Sequence, residues 1–199
     1  MPTGVALRDA REQLFDAAER VLLRDGPSGL TSRAVTTEAG CAKGVLHRHF
    51  TDFDGFLTEL VLDRVTRINA QAIDLGDRAG TGSVADNLTG ALVEVFEPVA
   101  VAVVGLVISR DELRARLREA VPFGVPILTD AASMITFYLV EERAMGRIAA
   151  NADAGTLALS LIGAGHLLFA DRQAAPPDYA AVHKVVATVI ADAVQRRLL

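Results

Sequence analysis

The chain lacks the residues that would tie it to an oxidising or extracellular environment. Of its 199 residues only Cys41 is a cysteine, so no disulfide bond can form within the chain. Disulfide frameworks are typical of small secreted proteins. The N-terminal stretch MPTGVALRDAREQ also lacks the apolar centre of a signal peptide. These absences predict an intracellular, cytoplasmic protein.

Long hydrophobic runs are also missing. The uncharged runs from Pro98 to Ser109 and from Thr156 to Ala170 are too short to cross a bilayer, because a membrane-spanning helix needs about 20 residues. We interpret both runs as buried helices and expect no membrane partner. With 51% hydrophobic residues, the chain can nevertheless bury a sizeable core.

An excess of positive charge is absent as well. The formal net charge is -5 at pH 7, and the isoelectric point is near 5.4. These values argue against a protein that coats nucleic acid through bulk charge, but they allow an acidic body with a small basic surface. Such a surface would depend on complementary shape more than on charge.

Motifs of catalysis and metal binding are missing too. We find no nucleophile elbow, phosphate-binding loop, zinc motif or convergent pair of acids. The adjacent acids Asp111-Glu112 and Glu141-Glu142 point to different faces of a helix, and we expect them to be solvated or paired with Arg114 and Arg143. The histidines have no cysteine or glutamate at metal-ligand spacing. The sequence therefore predicts no enzyme, no catalytic residue, no metal site and no cofactor.

What remains is a pattern of helices. No segment alternates apolar and polar residues with the period of a strand, and no Asn-Gly hairpin or long repeat is present. The sequence therefore predicts an all-α fold. Pro98 is expected to kink or split one helix near Phe96. The predicted helices are Arg8–Arg24, Thr31–Ala39, Lys43–Phe50, a long helix from Asp52 to Leu75, Ser83–Ile108, Ser109–Ala120, Gly124–Ala150, Asp153–Gln173 and Asp178–Leu198.

The stretch from Leu30 to Phe50, LTSRAVTTEAGCAKGVLHRHF, predicts two short helices joined by a tight turn. Thr31 can cap the first helix, and Gly40 can end it with a left-handed backbone. In the second helix Leu46 and Phe50 face inward at i and i+4, which leaves the basic residues outward. A helix-turn-helix of this charge can place its second helix in the major groove of DNA.

Spacing alone does not decide between DNA binding and a structural role, because such segments also occur in all-α domains that bind no nucleic acid. A further set of residues is in register with a known pattern: Leu30-Thr31, Arg33, Val35, Ala39-Gly40, Lys43-Gly44, Leu46, Arg48, His49-Phe50, Asp52 and Asp54. In this set the chain resembles the tetracycline-repressor (TetR) family of transcriptional regulators. The resemblance implies a three-helix DNA-binding domain in residues 1–54 and a larger helical effector-binding and dimerisation domain in residues 55–199.

The resemblance also implies the DNA contacts. We expect two copies of the second helix to enter successive major grooves of a palindromic operator in double-stranded DNA. Lys43 and Arg33 are the candidates for base edges, Val45 for a thymine methyl group, and Gly44 for close approach of the backbone. The candidates for phosphate contacts are Thr31, His47, Arg48 and His49.

Departures from the family pattern lower the expected number of phosphate contacts. His47 stands where the family usually has tyrosine, and Phe53 where it has lysine. Cys41-Ala42 replaces Val-Ser in the turn, and we interpret Cys41 as a small apolar residue, with a redox-sensing thiol as the alternative. We expect a weaker salt dependence than is typical, since each contact contributes about one unit of salt slope. The alternative function is a helical small-molecule-binding protein with a weak or non-functional DNA module.

In the family, the region around the predicted kink surrounds a ligand cavity. We therefore expect a small, largely apolar effector that releases a repressor from DNA. Aromatic residues and methionine at helical spacing more often belong to an ordinary core than to a ligand pocket, so the core interpretation stays open. The candidate pocket residues are Phe96, Leu106, Phe123, Leu128, Met134, Phe137, Tyr138 and His166.

The last two predicted helices indicate a homodimer. The final helix carries an apolar stripe that includes Val182, Val186 and Ile190, and the helix before it is apolar nearly all round. One monomer offers too few helices to cover both. A two-fold bundle, with two helices from each chain, is therefore the expected arrangement, and TetR-like proteins pair in this way.

Overall fold

A computed structural model describes residues 4–121, 123–171 and 175–194, with side chains from residue 10 onward. Within these ranges the chain is helical, and the predicted all-α fold is confirmed. One isolated antiparallel bridge, between Ile148 and Val194, interrupts the helical pattern. The helices are α1 (Gly4–Gly29), α2 (Ser32–Glu38), α3 (Gly44–His49), α4 (Phe53–Asp77), α5 (Val84–Val95), α6 (Pro98–Ser109), α7 (Asp111–Ala120), α8 (Leu128–Ala144), α9 (Ala154–Phe169) and α10 (Tyr179–Val189).

The chain divides into two compact units. The first contains the residues up to Arg64 together with Ala102–Pro126, and the second contains Val65–Val101 together with the residues from Ile127 onward. Helices α4 and α6 each contribute residues to both units. This division follows packing, whereas the expected boundary after residue 54 is a functional one and stays a prediction.

The breaks between helices lie where glycine and proline predict them. Gly26 has φ 73° and ψ -177°, which interrupts α1 immediately before Pro27. Gly40, with φ 64°, follows α2, and glycine adopts this left-handed backbone without steric cost. The predicted helix from Ser83 to Ile108 is split, because α5 ends at Val95 and α6 starts at Pro98 with a bend of 61°. Pro98 thus occupies the first turn of a helix, where its missing N–H leaves no hydrogen bond unmade.

Buried apolar residues form a core in each unit. In the first unit α1 packs against α2, and α2 against α3; in the second, α8 packs against α9, and α10 against α5 and α9. The buried residues include Leu14, Val21, Leu46, Phe56 and Leu60 in the first unit and Leu92, Ile135, Leu161, Val186 and Ile190 in the second.

The last helix is shorter than predicted. α10 ends at Val189 instead of continuing to Leu198, because the chain beyond it leaves the helix to pair with the segment after α8. There the N–H of Ala149 donates to the carbonyl of Ala193 over 2.7 Å. The predicted continuation through residues 195–199 lies outside the described residues, as does Pro122.

The helices were compared with the length and apolar character that a membrane-spanning helix needs. Within the described ranges no single helix is both long and apolar enough to cross a bilayer, and α5 with α6 reaches that length only as a bent pair.

Candidate nucleic-acid interface

The helix-turn-helix forms as its sequence predicts. The Thr31 hydroxyl accepts a hydrogen bond from the N–H of Ala34 over 3.2 Å and so caps α2. After Gly40, the N–H of Cys41 donates to the carbonyl of Thr36 over 3.0 Å, which closes the turn. Val35, Leu46 and Phe50 are buried. These inward anchors leave the opposite faces of α2 and α3 in solvent.

An aromatic cluster fixes the end of α3. The ring of Phe50 lies 5.8 Å from that of Phe15 on α1 and 4.9 Å from that of Phe56 on α4. The guanidinium of Arg11 lies 4.5 Å above the Phe50 ring and donates to the carbonyl of His49 over 3.1 Å. A cation at this position satisfies a terminal carbonyl and interacts favourably with the helix dipole. The cluster therefore joins α3 to α1 and α4.

The predicted DNA contacts share one surface, which we call the reading surface. Thr31, Arg33, Lys43, Gly44, His47 and Arg48 are exposed, whereas Val45 and His49 are half-buried. The backbone carbonyl of His49 is occupied by Arg11, so only its imidazole is available to DNA. The structure thus brings the predicted residues together without assigning their partners.

Several arginines outside the reading surface are paired with carboxylates within the first unit. Arg20 and Arg24 both bind the carboxylate of Glu38, over 2.9 and 2.7 Å. Arg24, and next Arg20, hold the pKa of this carboxyl below its usual value through these hydrogen bonds. Arg64 pairs with Glu19 over 2.6 Å in the interior, and Arg11 pairs with Glu59.

The cations of the reading surface have no such partners. Arg33, Lys43 and Arg48 form no ion pair with another residue in the described part of the chain. Unpaired cations retain their full attraction for phosphate and base-edge acceptors. Cations on α2 and α3 are therefore available to DNA, although the chain as a whole is acidic.

Phe53, which replaces the lysine of the family pattern, packs into the protein. Its ring stacks on that of Phe56 at 5.8 Å, and the guanidinium of Arg110 lies 5.8 Å above it. Arg110 and its neighbour Arg116 were not among the predicted site residues. Their contacts with the helix-turn-helix depend on packing between residues about 60 to 80 positions apart in sequence, and no local pattern could have indicated them.

The predicted effector residues are divided between the two units. Phe123 and Phe137 are 81% and 73% exposed, and their expected place in a mostly apolar pocket stays a prediction. Leu106 is buried but belongs to the first unit together with Phe123, whereas the other candidates belong to the second. Of those others, Met134 is buried and Leu128 half-buried.

Phe96 and His166 are neighbours in the second unit. The Phe96 ring lies 6.2 Å from the imidazole of His166 and 5.5 Å from the ring of Phe169. Gly165 permits this approach, since a Cβ atom there would lie 3.0 Å from Cδ2 of Phe96 and still nearer to Cε2. Nδ1 of His166 is buried and has no hydrogen-bond partner among the described residues. An unsatisfied buried nitrogen of this kind can accept or donate a bond to a ligand.

Tyr138 and Glu142 form a buried polar pair in the second unit. Asn87 donates to the Tyr138 hydroxyl over 3.0 Å, and burial, followed by the hydrogen bond with Glu142, raises the pKa of this phenol. Glu142 is fully buried and lies 3.2 Å from the Nε atom of Arg147. The expectation that Glu142 is solvated or paired with Arg143 is therefore wrong, because its helical face turns it inward. The parallel expectation for the first acidic pair is confirmed, since Arg114 pairs with Asp111.

A separate surface cavity of about 510 Å³ lies in the second unit and includes none of the predicted effector residues. It is lined by residues of the loop between α4 and α5, by the start of α5, by Met145, Gly146 and Arg147 after α8, and by Val194. Among the described residues, no group of three or more His, Cys, Asp or Glu side chains is placed so that it could bind a metal ion.

Comparison with known proteins gives a match to the N-terminal part. Residues 14–60 match the family model described as bacterial regulatory proteins, tetR family. The HTH-type transcriptional regulator Rv1816 of Mycobacterium tuberculosis is 30% identical over 96 residues, which are 46% of this chain and 39% of that protein. The chain therefore spans about two fifths of the length of this curated relative.

Solved structures extend the likeness to the whole fold. A TetR-family transcriptional regulator from Mesorhizobium loti has a TM-score of 0.70 at 17% identity and covers 95% of this chain and 98% of its own. The regulator FadR from Bacillus subtilis, solved in complex with stearoyl-CoA, has a TM-score of 0.69 at 18% identity, with 90% and 97% covered. The shared fold and the matched helix-turn-helix confirm the TetR-family resemblance indicated by residues 30–54.

Proposed function

We propose that this chain is a TetR-type transcriptional regulator that binds a palindromic operator as a homodimer and acts as a repressor. One observation carries the proposal: Arg33, Lys43 and Arg48 are exposed and unpaired on the reading surface, while neighbouring arginines are neutralised internally. The proposed location is the cytoplasm, and no catalytic residue is assigned.

DNA reading divides between base edges and phosphates. Lys43 is the exposed N-cap residue of α3 and Arg33 is exposed on α2, so both side chains are available to guanine acceptors. Val45 would contact a thymine methyl group, and exposed Gly44 would allow close approach of the backbone. Thr31, His47, Arg48 and His49 would meet phosphates.

The dimer would use α9 more than α10. Val182, Val186 and Ile190 of the predicted α10 stripe are buried within their own chain and are not available to a partner. On α9, by contrast, Leu159 and Leu167 are 67% and 78% exposed, and they lie eight residues apart on one face of the helix. Large exposed apolar side chains in one stripe are typical of an interface.

A small, largely apolar effector would bind in the second unit near Phe96 and His166. The unpaired Nδ1 of His166 beside two aromatic rings supports this position. FadR from Bacillus subtilis, which shares the fold, was solved with stearoyl-CoA. An effector that favours the form with lower DNA affinity is itself bound less tightly when DNA is present, because the coupling free energy is reciprocal.

The alternative is a helical ligand-binding protein with a weak DNA module. The replacement of the phosphate-contacting tyrosine and lysine by His47 and Phe53 favours it, since Phe53 carries no charge and its half-buried ring lies against Phe56 and Arg110.

Selection from a random pool of DNA duplexes separates the two functions. The purified protein should enrich a palindromic site at moderate and at physiological salt. The recovered site then becomes the probe for effector screening. Absence of enrichment at both salt concentrations would contradict the regulator and leave the ligand-binding protein.

A further inference from the structure

Two arginines outside the helix-turn-helix reach back to it within the first unit. Arg110 lies between α6 and α7, and Arg116 lies on α7. Arg110 donates through Nη2 to the carbonyls of Leu30 and Pro27, over 2.9 and 3.3 Å. Arg116 donates through both terminal nitrogens to the carboxylate of Asp52. None of these contacts involves the reading surface.

The pair formed by Arg116 and Asp52 has a two-point geometry. Nη1 of Arg116 lies 2.9 Å from Oδ1 of Asp52, and Nη2 lies 2.8 Å from Oδ2. Such a fork fixes orientation as well as distance. Hydrogen bonding by Arg116, and next by the N–H of Gly55, holds the pKa of Asp52 below its usual value. Asp52 is therefore the charged partner of α7.

Asp52 also determines where α4 begins. Its Oδ1 accepts the N–H of Gly55 over 2.6 Å, which satisfies an open amide in the first turn of α4. Position 55 has little room for a side chain, since a Cβ atom there would lie 3.3 Å from that oxygen and 3.8 Å from Nη1 of Arg116. The start of α4, its capping carboxylate and the guanidinium from α7 thus form one packed group.

The start of α4 is in turn in contact with the end of α3. Phe56, in the first turn of α4, lies edge-on to Phe50 at 4.9 Å, and Phe50 is the residue that ends α3. A displacement of α4 would consequently move the buried anchor of α3. Recognition of base edges tolerates little displacement, because bidentate contacts need donor and acceptor in register.

Arg110 contacts the segment that precedes α2, the first helix of the helix-turn-helix. The Leu30 carbonyl that it binds directly precedes Thr31, the cap of α2. The same guanidinium covers the ring of Phe53 at 5.8 Å, at the first position of α4. Arg110 therefore links the entry to α2 with the entry to α4.

We propose that Arg110 and Arg116 are positioning residues for DNA recognition: they fix the entries to α2 and α4, and through them the reading surface, without touching DNA. The proposal rests on the function proposed above. It assigns a role in sequence recognition to a segment far from the helix-turn-helix in sequence.

The charges of the Arg116 and Asp52 pair give a direct test. Arg116→Ala removes a positive charge and Asp52→Asn a negative one, while asparagine can still accept the N–H of Gly55. Positioning predicts that both substitutions weaken binding to the selected operator, each about three-fold, and that the double variant is no weaker than either. A general field effect predicts opposite signs, because loss of a negative charge strengthens attraction to DNA.

The matched control is Arg118→Ala, which removes the same charge from an exposed position of α7 that forms no ion pair in the described part of the chain. Affinity for an unrelated duplex should change equally in Arg116→Ala and Arg118→Ala. Operator affinity should fall further in Arg116→Ala than in Arg118→Ala. Equal losses in the two variants, or tighter operator binding by Asp52→Asn, would overturn the proposal.

Hydrogen exchange provides a readout that does not require an operator. In Arg110→Ala, the hydrogen-bonded amides of residues 34–36 should exchange about ten-fold faster than in the wild type, because the entry to α2 loses a charge-assisted hydrogen bond. Amides of α9 should be unchanged. Unchanged exchange in residues 34–36 would refute the role of Arg110. If the wild type selects no site, the proposed function fails, while hydrogen exchange still decides whether Arg110 fixes this segment.

Discussion

In the first unit, guanidinium groups join different helices around a cluster of phenylalanine rings, whereas in the second unit the end of α5 meets α9 through the aromatic side chains of Phe96, His166 and Phe169. Arg11, Arg24, Arg110 and Arg116 each join different helices or turns of the first unit. In the second unit, Phe96 against α9 is the corresponding junction. Directional polar contacts hold a recognition surface in one geometry, while apolar packing specifies volume and tolerates rearrangement. The difference suits a rigid DNA reader and an adaptable ligand-binding body.

The largest expected effect concerns the apolar surface of the second unit. Leu159→Glu combined with Leu167→Glu should convert the dimer into a monomer of 21.1 kDa, because charges would be buried in the proposed interface without partners. Sedimentation velocity measures the mass directly. Ile73→Glu, which changes an equally exposed side chain on α4, serves as the control and should remain dimeric. A wild type that sediments as a monomer would remove α9 from the proposal.

The next largest expected effect is a loss of stability when the packing around Phe96 is disturbed. Gly165→Ala should lower the free energy of unfolding by about 1–3 kcal/mol, since the added methyl group meets the Phe96 ring. Urea denaturation followed by circular dichroism measures this change. Gly105→Ala is the matched helical control, because nothing lies within 4 Å of its Cβ position. It should be neutral or stabilising by up to about 1 kcal/mol. Equal stability of the two variants would mean that Phe96 is not confined by α9.

The reading surface yields a smaller and more specific effect. Arg48→Ala should reduce the slope of log affinity against log salt by about one for each subunit, because a phosphate contact is lost. Arg20→Ala removes an equal charge that is already paired with Glu38 and should leave the slope nearly unchanged. Titrations of the selected operator at several salt concentrations distinguish the two variants. Equal slopes in Arg48→Ala and the wild type would remove Arg48 from the phosphate contacts.

The smallest expected effect concerns how the stability of the folded state changes as the pH falls. Arg24 and Arg20 lower the pKa of Glu38 in the folded state, so the unfolded state takes up this proton first as the pH falls. The stabilisation is present above the unfolded pKa of about 4.3 and is lost as the pH falls through the folded value. In Glu38→Gln the urea midpoint should decline less than in the wild type between about pH 6 and about pH 3. Glu12→Gln, at an exposed residue, should decline like the wild type.

The sequence could predict features that depend on neighbouring residues, but not features that depend on the packing of distant helices. The cap at Thr31, the turn at Gly40 and the inward pair Leu46 and Phe50 depend on residues within a few positions of one another, and all three are found. Phe137 has the same kind of helical spacing as Met134, yet one is exposed and the other buried. Which face of α8 is covered depends on the packing of α9, and sequence spacing alone carries no information about it.

The arginine contacts of the first unit show a second limit. Arg110 and Arg116 lie in a segment whose sequence, RDELRARLREA, predicts only a charged helix. Their partners become visible only when the fold brings α7 beside Asp52 and Leu30. The partner of buried Glu142 could not be predicted for a related reason, because Arg147 lies beyond the end of α8 and reaches back.

The central claim is that the exposed face of α3 reads DNA sequence. Lys43→Ala combined with Arg48→Ala should weaken binding to the selected operator by at least about 100-fold, because a base-edge contact and a phosphate contact disappear in each subunit. The thermal midpoint should stay unchanged, since both side chains are exposed. Arg118→Ala is the control for loss of charge. Full operator affinity in the double variant would contradict the account and exclude α3 from recognition.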